Sequence, residues 1–220
     1  IDAFVRPASG ERRALTLGPV VEEAAGILRA AVPAVVQIAV TVDPDTPTVL
    51  ADPADIQEIV LSLASNAVQA MTGRATVEIA VGRVDAGPEL VQALSDMTKG
   101  PYATIRVTDR GAGMDERTKR RVFEPFFTTR APSEGAGLGL SVAQSIVKRQ
   151  GGSIRVWSEA GVGSQFEVYL PALPIAMPDL SHNRWRMLLT SRPNILIEGP
   201  NAATEALLQA LRAHCQEPVK

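Results

Sequence analysis

Apolar positions along this chain recur in two periods, and the switches between them mark out its elements. From Leu17 to Val32 the residues Val20, Val21, Ala24, Ile27, Leu28 and Ala31 return at helical spacing, and Pro33 closes the run, which predicts a first helix. Val35 to Val42 is β-branched and partly alternating, Asp43-Pro44-Asp45 carries turn chemistry, and Thr48 to Ala51 reads as a short second strand. Asp52 can then cap a helix with Pro53 at its first position, and the periodicity carries that helix to about Met71. Further strands are predicted over 75–84 and 102–108, a short helix over 115–122 and a longer one over 138–150. Strands over 153–158 and 164–170 form a hairpin that turns on Gly161-Val162-Gly163. Strands and helices mix without regular βαβ alternation. The expected fold class is therefore α/β, a two-layer sandwich with a mixed, largely antiparallel sheet packed on helices.

Composition narrows the range of roles. With 220 residues, 45% hydrophobic, 21% charged and a formal net charge of -2, the chain reads as one large folded domain or one plus a fragment. No basic stripe is present to favour nucleic acid or an anionic membrane. No apolar run approaches the roughly 20 residues that span a bilayer, and no signal-peptide layout opens the chain. The expectation is a soluble, cytoplasmic piece with no direct membrane contact, cut from a longer protein that is itself free to be membrane-associated, since it begins at Ile1 rather than Met. The one cysteine, Cys215, cannot pair internally, and with only His182 and His214 beside it a structural zinc site is not expected.

Four short segments, in order, carry chemistry. On the helix from Pro53, Ile56, Ile59, Val60, Leu63, Ala67 and Met71 share a face, while Ser62 and Asn66 lie about 40° apart on its polar border with Glu58 and Gln69. An asparagine there can turn its amide oxygen inward, and Mg2+ takes oxygen ligands and completes its shell with phosphate and water. Alone, Asn66 reads first as a solvated helix residue. Next, Ile105, Val107 and Asp109 share one side of an alternating strand, so a carboxylate ends an apolar face. Its burial needs donors, and an adenine amino group is one of the right size. Gly111 and Gly113 follow, where a turn and close backbone approach are possible; an Asx-turn at a strand end is the plain alternative. The third segment is Phe123-Glu124-Pro125-Phe126-Phe127, in which at least one phenylalanine is expected in the core. Between it and Gly135 the segment Thr128 to Glu134 has no apolar anchor, which predicts a mobile lid on which Arg130 is placed to reach phosphate. Last, Gly135, Gly137 and Gly139 lead directly into the 138–150 helix, whose free amides and positive dipole end suit phosphate. Neither the dinucleotide spacing nor a Gly-Lys-Ser/Thr loop is present. The order points to a nucleotide pocket.

These motifs together, Gln57 to Ala67, Asp109-Arg110-Gly111-Ala112-Gly113-Met114, Phe123 to Phe127, Gly135-Ala136-Gly137-Leu138-Gly139-Leu140 and the closing Gly161 to Phe166, resemble the catalytic and ATP-binding domain of bacterial sensor histidine kinases, in the gyrase, Hsp90, histidine kinase and MutL superfamily. The resemblance covers about Leu15 to Pro171 and implies a Bergerat-type sandwich that binds ATP or ADP with Mg2+. It implies Asn66 as the metal ligand and catalytic residue, and Asp109 on adenine with Ser164 near it. Contacts to ribose and phosphates are implied from Gly111, Gly113, Phe127, Thr128, Arg130, Gly135, Gly137, Leu138, Gly139 and Leu140. The implied activity is that of an ATP-dependent protein-histidine kinase, whose partners are the dimerisation and phosphoacceptor domain of the parent protein and a response regulator receiver domain. Residues 1–14, with Phe4-Val5-Arg6-Pro7, resemble the exit from the dimerisation helices; 15–171 form the catalytic domain, 172–183 a linker, and 184–220 the start of a further α/β unit of unknown type. The acceptor histidine is expected on a helix ahead of Ile1, because neither His182 nor His214 is followed by an acidic residue.

Two positions depart from the family pattern. Ser62 stands where a second asparagine is usual, and Gln69 where a basic residue is frequent. Clamp ATPases of the superfamily carry a glutamate at the Ser62 position to orient water, so the serine favours phosphoryl transfer over hydrolysis. A catalytically weak nucleotide-binding regulatory module is the other reading.

Overall fold

A crossover builds the wall on which the site rests. In the computed structural model, which describes residues 11–73, 75–94, 96–130 and 136–173, strand β1 (Arg13–Leu15) leads into helix α1 (Leu17–Ala31), then β2 (Val36–Val42) and β3 (Val49–Ala51). Helix α2 (Pro53–Ala70) carries the chain across to β4 (Ala75–Ala86), which pairs with β2 in parallel. Parallel neighbours require such a crossover, and it lays α2 over the sheet. After α3 (Pro88–Ala93) come β5 (Gly100–Asp109), α4 (Glu116–Arg121), α5 (Gly139–Arg149), β6 (Ser153–Glu159) and β7 (Gly163–Pro171). The five-stranded sheet has the order β2-β4-β5-β7-β6, and its three remaining pairings are antiparallel. The mixed, largely antiparallel sandwich anticipated from the pattern is the observed fold.

Helices α1, α2 and α5 cover one face of this sheet. On α2, Ile56, Ile59, Val60, Leu63 and Ala64 are 0% exposed and Ala67 1%. They meet Val77, Ile79 and Val81 of β4, Ile105 and Val107 of β5, and Phe166, Val168 and Leu170 of β7 within one core. Each of the larger side chains among them contributes about 1.5–3 kcal/mol by leaving water. The Asp52 side chain accepts from the Ala54 amide at 3.0 Å, so the start of α2 is capped as its sequence indicates.

Two elements lack a sequence period. Three-residue β1 pairs antiparallel with β3, and six-residue α3 places Leu90, Val91 and Leu94 against Ala86, Met97, Tyr102 and Tyr169 in a second, smaller core. Strands β4 and β5 also run further than expected, to the Ala86–Gly100 pair, because the ladder continues through the Asp85–Pro101 pair beyond Val84 and Tyr102. Beyond β7, the Leu173 amide donates to the Thr48 carbonyl at 2.8 Å. The expected segment 1–14 up to Gly10, the linker from Pro174 and the 184–220 unit lie outside the described residues. Among the described residues no helix is long and apolar enough to cross a membrane.

Candidate functional site

The second half of α2 forms one wall of a cavity of about 680 Å³. Ser62, Ser65, Asn66, Gln69 and Ala70 face it, as the polar border of the apolar stripe implies. Gly113, Met114, Thr118 and Val122 close one side, Phe127 to Arg130 another, and Ala136 to Leu140 with Ser164 the rest. Of the residues anticipated from sequence, Asn66, Gly113, Phe127, Thr128, Arg130, Gly137, Leu138, Gly139, Leu140 and Ser164 therefore meet around one space. Gly135, and the lid from Ala131 to Glu134, lie outside the described residues.

Asp109 ends β5 on the core side, 3% exposed, behind the cavity surface rather than on it. Its Oδ1 accepts from the Gly111 amide at 2.8 Å, the Asx geometry expected of a strand end. Burial raises its pKa, while amide donors from Gly111 and Ser164 oppose the shift. Ser164 is its ladder partner on β7, and the Ser164 hydroxyl lies 2.9 Å from that of Ser158. Since the Ser158 hydroxyl donates to the Gly163 carbonyl at 2.9 Å, Ser164 supplies the proton between the two hydroxyls. Ser164 is thus oriented from β6, a relation with no local sequence signal.

The glycines divide between two tasks. A Cβ on Gly111 would sit 2.4 Å from the Ala70 carbonyl, which accepts from the Ala112 amide at 3.0 Å. Gly111 lets the β5 turn dock on the end of α2 and does not itself line the cavity. Gly137 has φ 65°, and a Cβ there would meet the Phe127 carbonyl at 2.6 Å, while the Phe126 amide donates to the Gly137 carbonyl at 3.0 Å. That pairing ties the phenylalanine cluster to the start of α5.

The three phenylalanines separate cleanly. Phe123 packs edge-on against Phe166 with ring centroids 6.2 Å apart, the core role expected of at least one. Phe127 reaches the cavity with the Arg121 guanidinium 4.4 Å over its ring. Phe126 is 74% exposed at φ 65°. Arg130 donates to the Gln69 side chain, so the arginine and the helix position that departs from the family pattern meet across the cavity.

Asn66 makes no side-chain hydrogen bond among the described residues, and no group of three His, Cys, Asp or Glu there could cage a metal. An uncommitted amide oxygen on a wall of serines suits a hard cation that takes its other ligands from phosphate and water. The amides opening α5 face the same space. Sequence reasoning missed Ser65, Ala70, Met114 and Thr118 on the wall. Ala70, one helical turn after Asn66, was legible from the spacing; Thr118 depends on how α4 docks.

Comparison with known proteins gives this geometry a family. Residues 51–174, more than half of the chain, match the family described as histidine kinase-, DNA gyrase B- and HSP90-like ATPase. The sensor kinase CckA of Brucella abortus (strain 2308) is 29% identical over 174 residues, covering 75% of this chain and 18% of that protein. The sensor protein FixL of Bradyrhizobium diazoefficiens is 31% identical over 170 residues, covering 77% and 31%. The chain thus spans less than a third of the length of these relatives. Among solved structures, a mycobacterial sensor histidine kinase, MprB, superposes with TM-score 0.59 at 24% identity, over 74% of this chain and 99% of that one, a likeness of fold. Full-length ShkA in complex with AMPPNP does so with TM-score 0.58 at 25% identity, over 76% and 34%. Helix, buried carboxylate, glycine turns and matched residues agree: the chain belongs to the histidine kinase-, DNA gyrase B- and HSP90-like ATPases.

Proposed function

We propose that this chain binds ATP with Mg2+ in the cavity under α2 and transfers the γ-phosphate to a histidine on the dimerisation domain of its parent protein, for onward passage to the receiver domain of a response regulator. The observation that carries the reading is the cavity's chemistry. Its described lining offers amide and hydroxyl oxygens, backbone amides and one arginine, and no Asp or Glu. With no carboxylate among the described lining residues to activate water, an incoming imidazole is the better nucleophile in this reading.

In this reading Asp109 accepts from the adenine amino group, with Ser164 beside it. Asn66 would hold the metal, which when bound supplies charge neutralisation at the phosphates. The amides from Gly137 to Leu140 and the Arg130 guanidinium face the phosphate oxygens. Arg130 takes over at the cavity mouth where Gln69 offers no charge. During transfer the bond from the γ-phosphorus to its bridging oxygen breaks as the imidazole nitrogen bonds to phosphorus, and the imidazole proton leaves to a base on the acceptor's own helix. This chain's residues orient the phosphates and stabilise charge, which supplies most of phosphoryl-transfer catalysis. The working location is the cytoplasm, where ATP is available, whether or not the parent is anchored in a membrane.

Calorimetric titration with ATP and ADP, with and without Mg2+, tests the first step, and failure of both to bind removes the proposal. The second step is tested by adding the parent's histidine-bearing helices in trans. Acid-labile phosphate should form on the added helices and not on this chain; label on His182 or His214 would overturn the assignment of the acceptor.

A further inference from the structure

Asp55 is buried in the first turn of α2, away from the residues that line the cavity. Its partners come from the far end of α5. Arg149 Nη2 donates to one carboxylate oxygen at 2.8 Å and Gln150 Nε2 to the other at 2.5 Å. The Gln150 Oε1 is buried without a partner, so the amide is turned to give its donor to Asp55 and leaves its own acceptor orphaned. An orphaned buried acceptor is costly, which shows how strongly the carboxylate sets this arrangement. A third contact comes from Arg12, just ahead of β1, which donates to the Arg149 carbonyl where α5 has run out of intrahelical partners.

Helices α2 and α5 are therefore tied at the start of one and the end of the other. Their opposite ends both face the cavity. At a rise of about 1.5 Å per residue, Asn66 lies roughly 16 Å along α2 from Asp55. There a Cβ added to Gly139, the first residue of α5, would stand 3.8 Å from the Ser62 hydroxyl, so the two helices approach with room for about a methyl group between them. Close-packed interiors transmit strain, which gives a change at the tied end a route to the residues opening α5 and to Asn66.

We propose that Asp55, with Arg149 and Gln150, is a positioning cluster that sets the axial register of α2 against α5 and thereby tunes the part of nucleotide binding that depends on the γ-phosphate and metal. The proposal rests on the reading of the cavity as the nucleotide site. Asp55 touches neither ligand nor reacting atoms; it acts through the two helices.

The test compares ADP without metal and the non-hydrolysable analogue AMPPNP with Mg2+, titrated by calorimetry into the whole chain well below each variant's melting temperature. The variants are Asp55→Asn, Arg149→Ala, Arg149→Lys and the Asp55→Asn/Arg149→Ala pair. Arg149→Ala should weaken the AMPPNP complex about three- to tenfold, the range for residues that couple to a site without touching it, and ADP by less than about twofold. Arg149→Lys should recover part of the loss, and the double variant should bind no worse than the weaker single one. The Arg149 side chain is 46% exposed, so Arg149→Ala carries the test even if Asp55→Asn fails to fold. Equal weakening of both ligands, or unchanged binding with a lowered melting temperature, would show a structural staple and overturn the proposal. If the unaltered chain bound neither ligand, the nucleotide reading itself would fall, and this inference with it.

Discussion

The two walls of the cavity are built on opposite principles. The α2 wall is the back of a core helix: six side chains from Ile56 to Ala67 are at most 1% exposed, and the polar residues that face the cavity ride on that packing. The wall from α4 to the start of α5 has little core of its own. Helix α4 buries no residue, Phe126 is 74% exposed, Leu138 is 38% exposed, and beyond the anchors of Val122, Phe123 and Leu140 on the main core the wall is held by the Asp115 cap on Thr118, the Arg121–Phe127 contact and the Phe126–Gly137 hydrogen bond. Asn66, the proposed metal ligand, stands on the packed wall. The groups proposed to meet phosphates stand where reshaping costs least, since local stability follows buried apolar contact.

Core truncation should separate the walls most sharply. Ile59→Ala is expected to cost about 2–5 kcal/mol in denaturant unfolding, because the cavity left beneath α2 cannot collapse. A cost below that of a surface change would mean the α2 wall is not the structural one.

Asp109→Asn comes next. It should weaken ATP and ADP by about 1–3 kcal/mol, the value of a charge-assisted hydrogen bond, with the fold retained. Calorimetry that finds unchanged affinity would remove the adenine role. Asn66→Ala should cost less, about 1 kcal/mol, and only in the Mg2+-dependent share of ATP affinity, leaving metal-free ADP alone. A metal dependence that survives intact would place the ligand elsewhere.

Acidity offers a further way to sharpen the contrast. Burial raises the Asp109 pKa in the empty fold, so folding without nucleotide favours the protonated form relative to the unfolded chain. That preference stabilises the empty chain below the ordinary carboxylate value and is lost as pH rises through the raised one. Nucleotide, donating to the ionised form, reverses the preference. Affinity should therefore fall as pH drops through the raised pKa, with proton uptake as the nucleotide leaves. Titrations in buffers of different ionisation enthalpy would detect that proton, and the dependence should vanish in Asp109→Asn. The smallest effect is expected on the other wall: Phe126→Asn should change global stability by no more than about 0.5 kcal/mol, since the side chain is exposed and asparagine tolerates a positive φ. A large loss would show that this wall is core after all.

Much of this was legible in residue order. The period of α2 placed Ser62 and Asn66 on a polar border, the alternation of β5 placed Asp109 at the end of an apolar face, and glycines ahead of α5 marked the open start of a helix. Each is local, because side-chain direction follows from backbone period within a few residues. The roles of Gly111, Ser164 and Asp55 were not legible in the same way. Gly111 is required by the Ala70 carbonyl, the Ser164 hydroxyl is oriented by Ser158 on the neighbouring strand, and Asp55 is held by the end of α5. Period and spacing report which face a residue occupies. Which atoms come to stand opposite that face depends on how the crossover lays α2 on the sheet and how α5 docks beside it, and those are decided by packing between segments far apart in the chain.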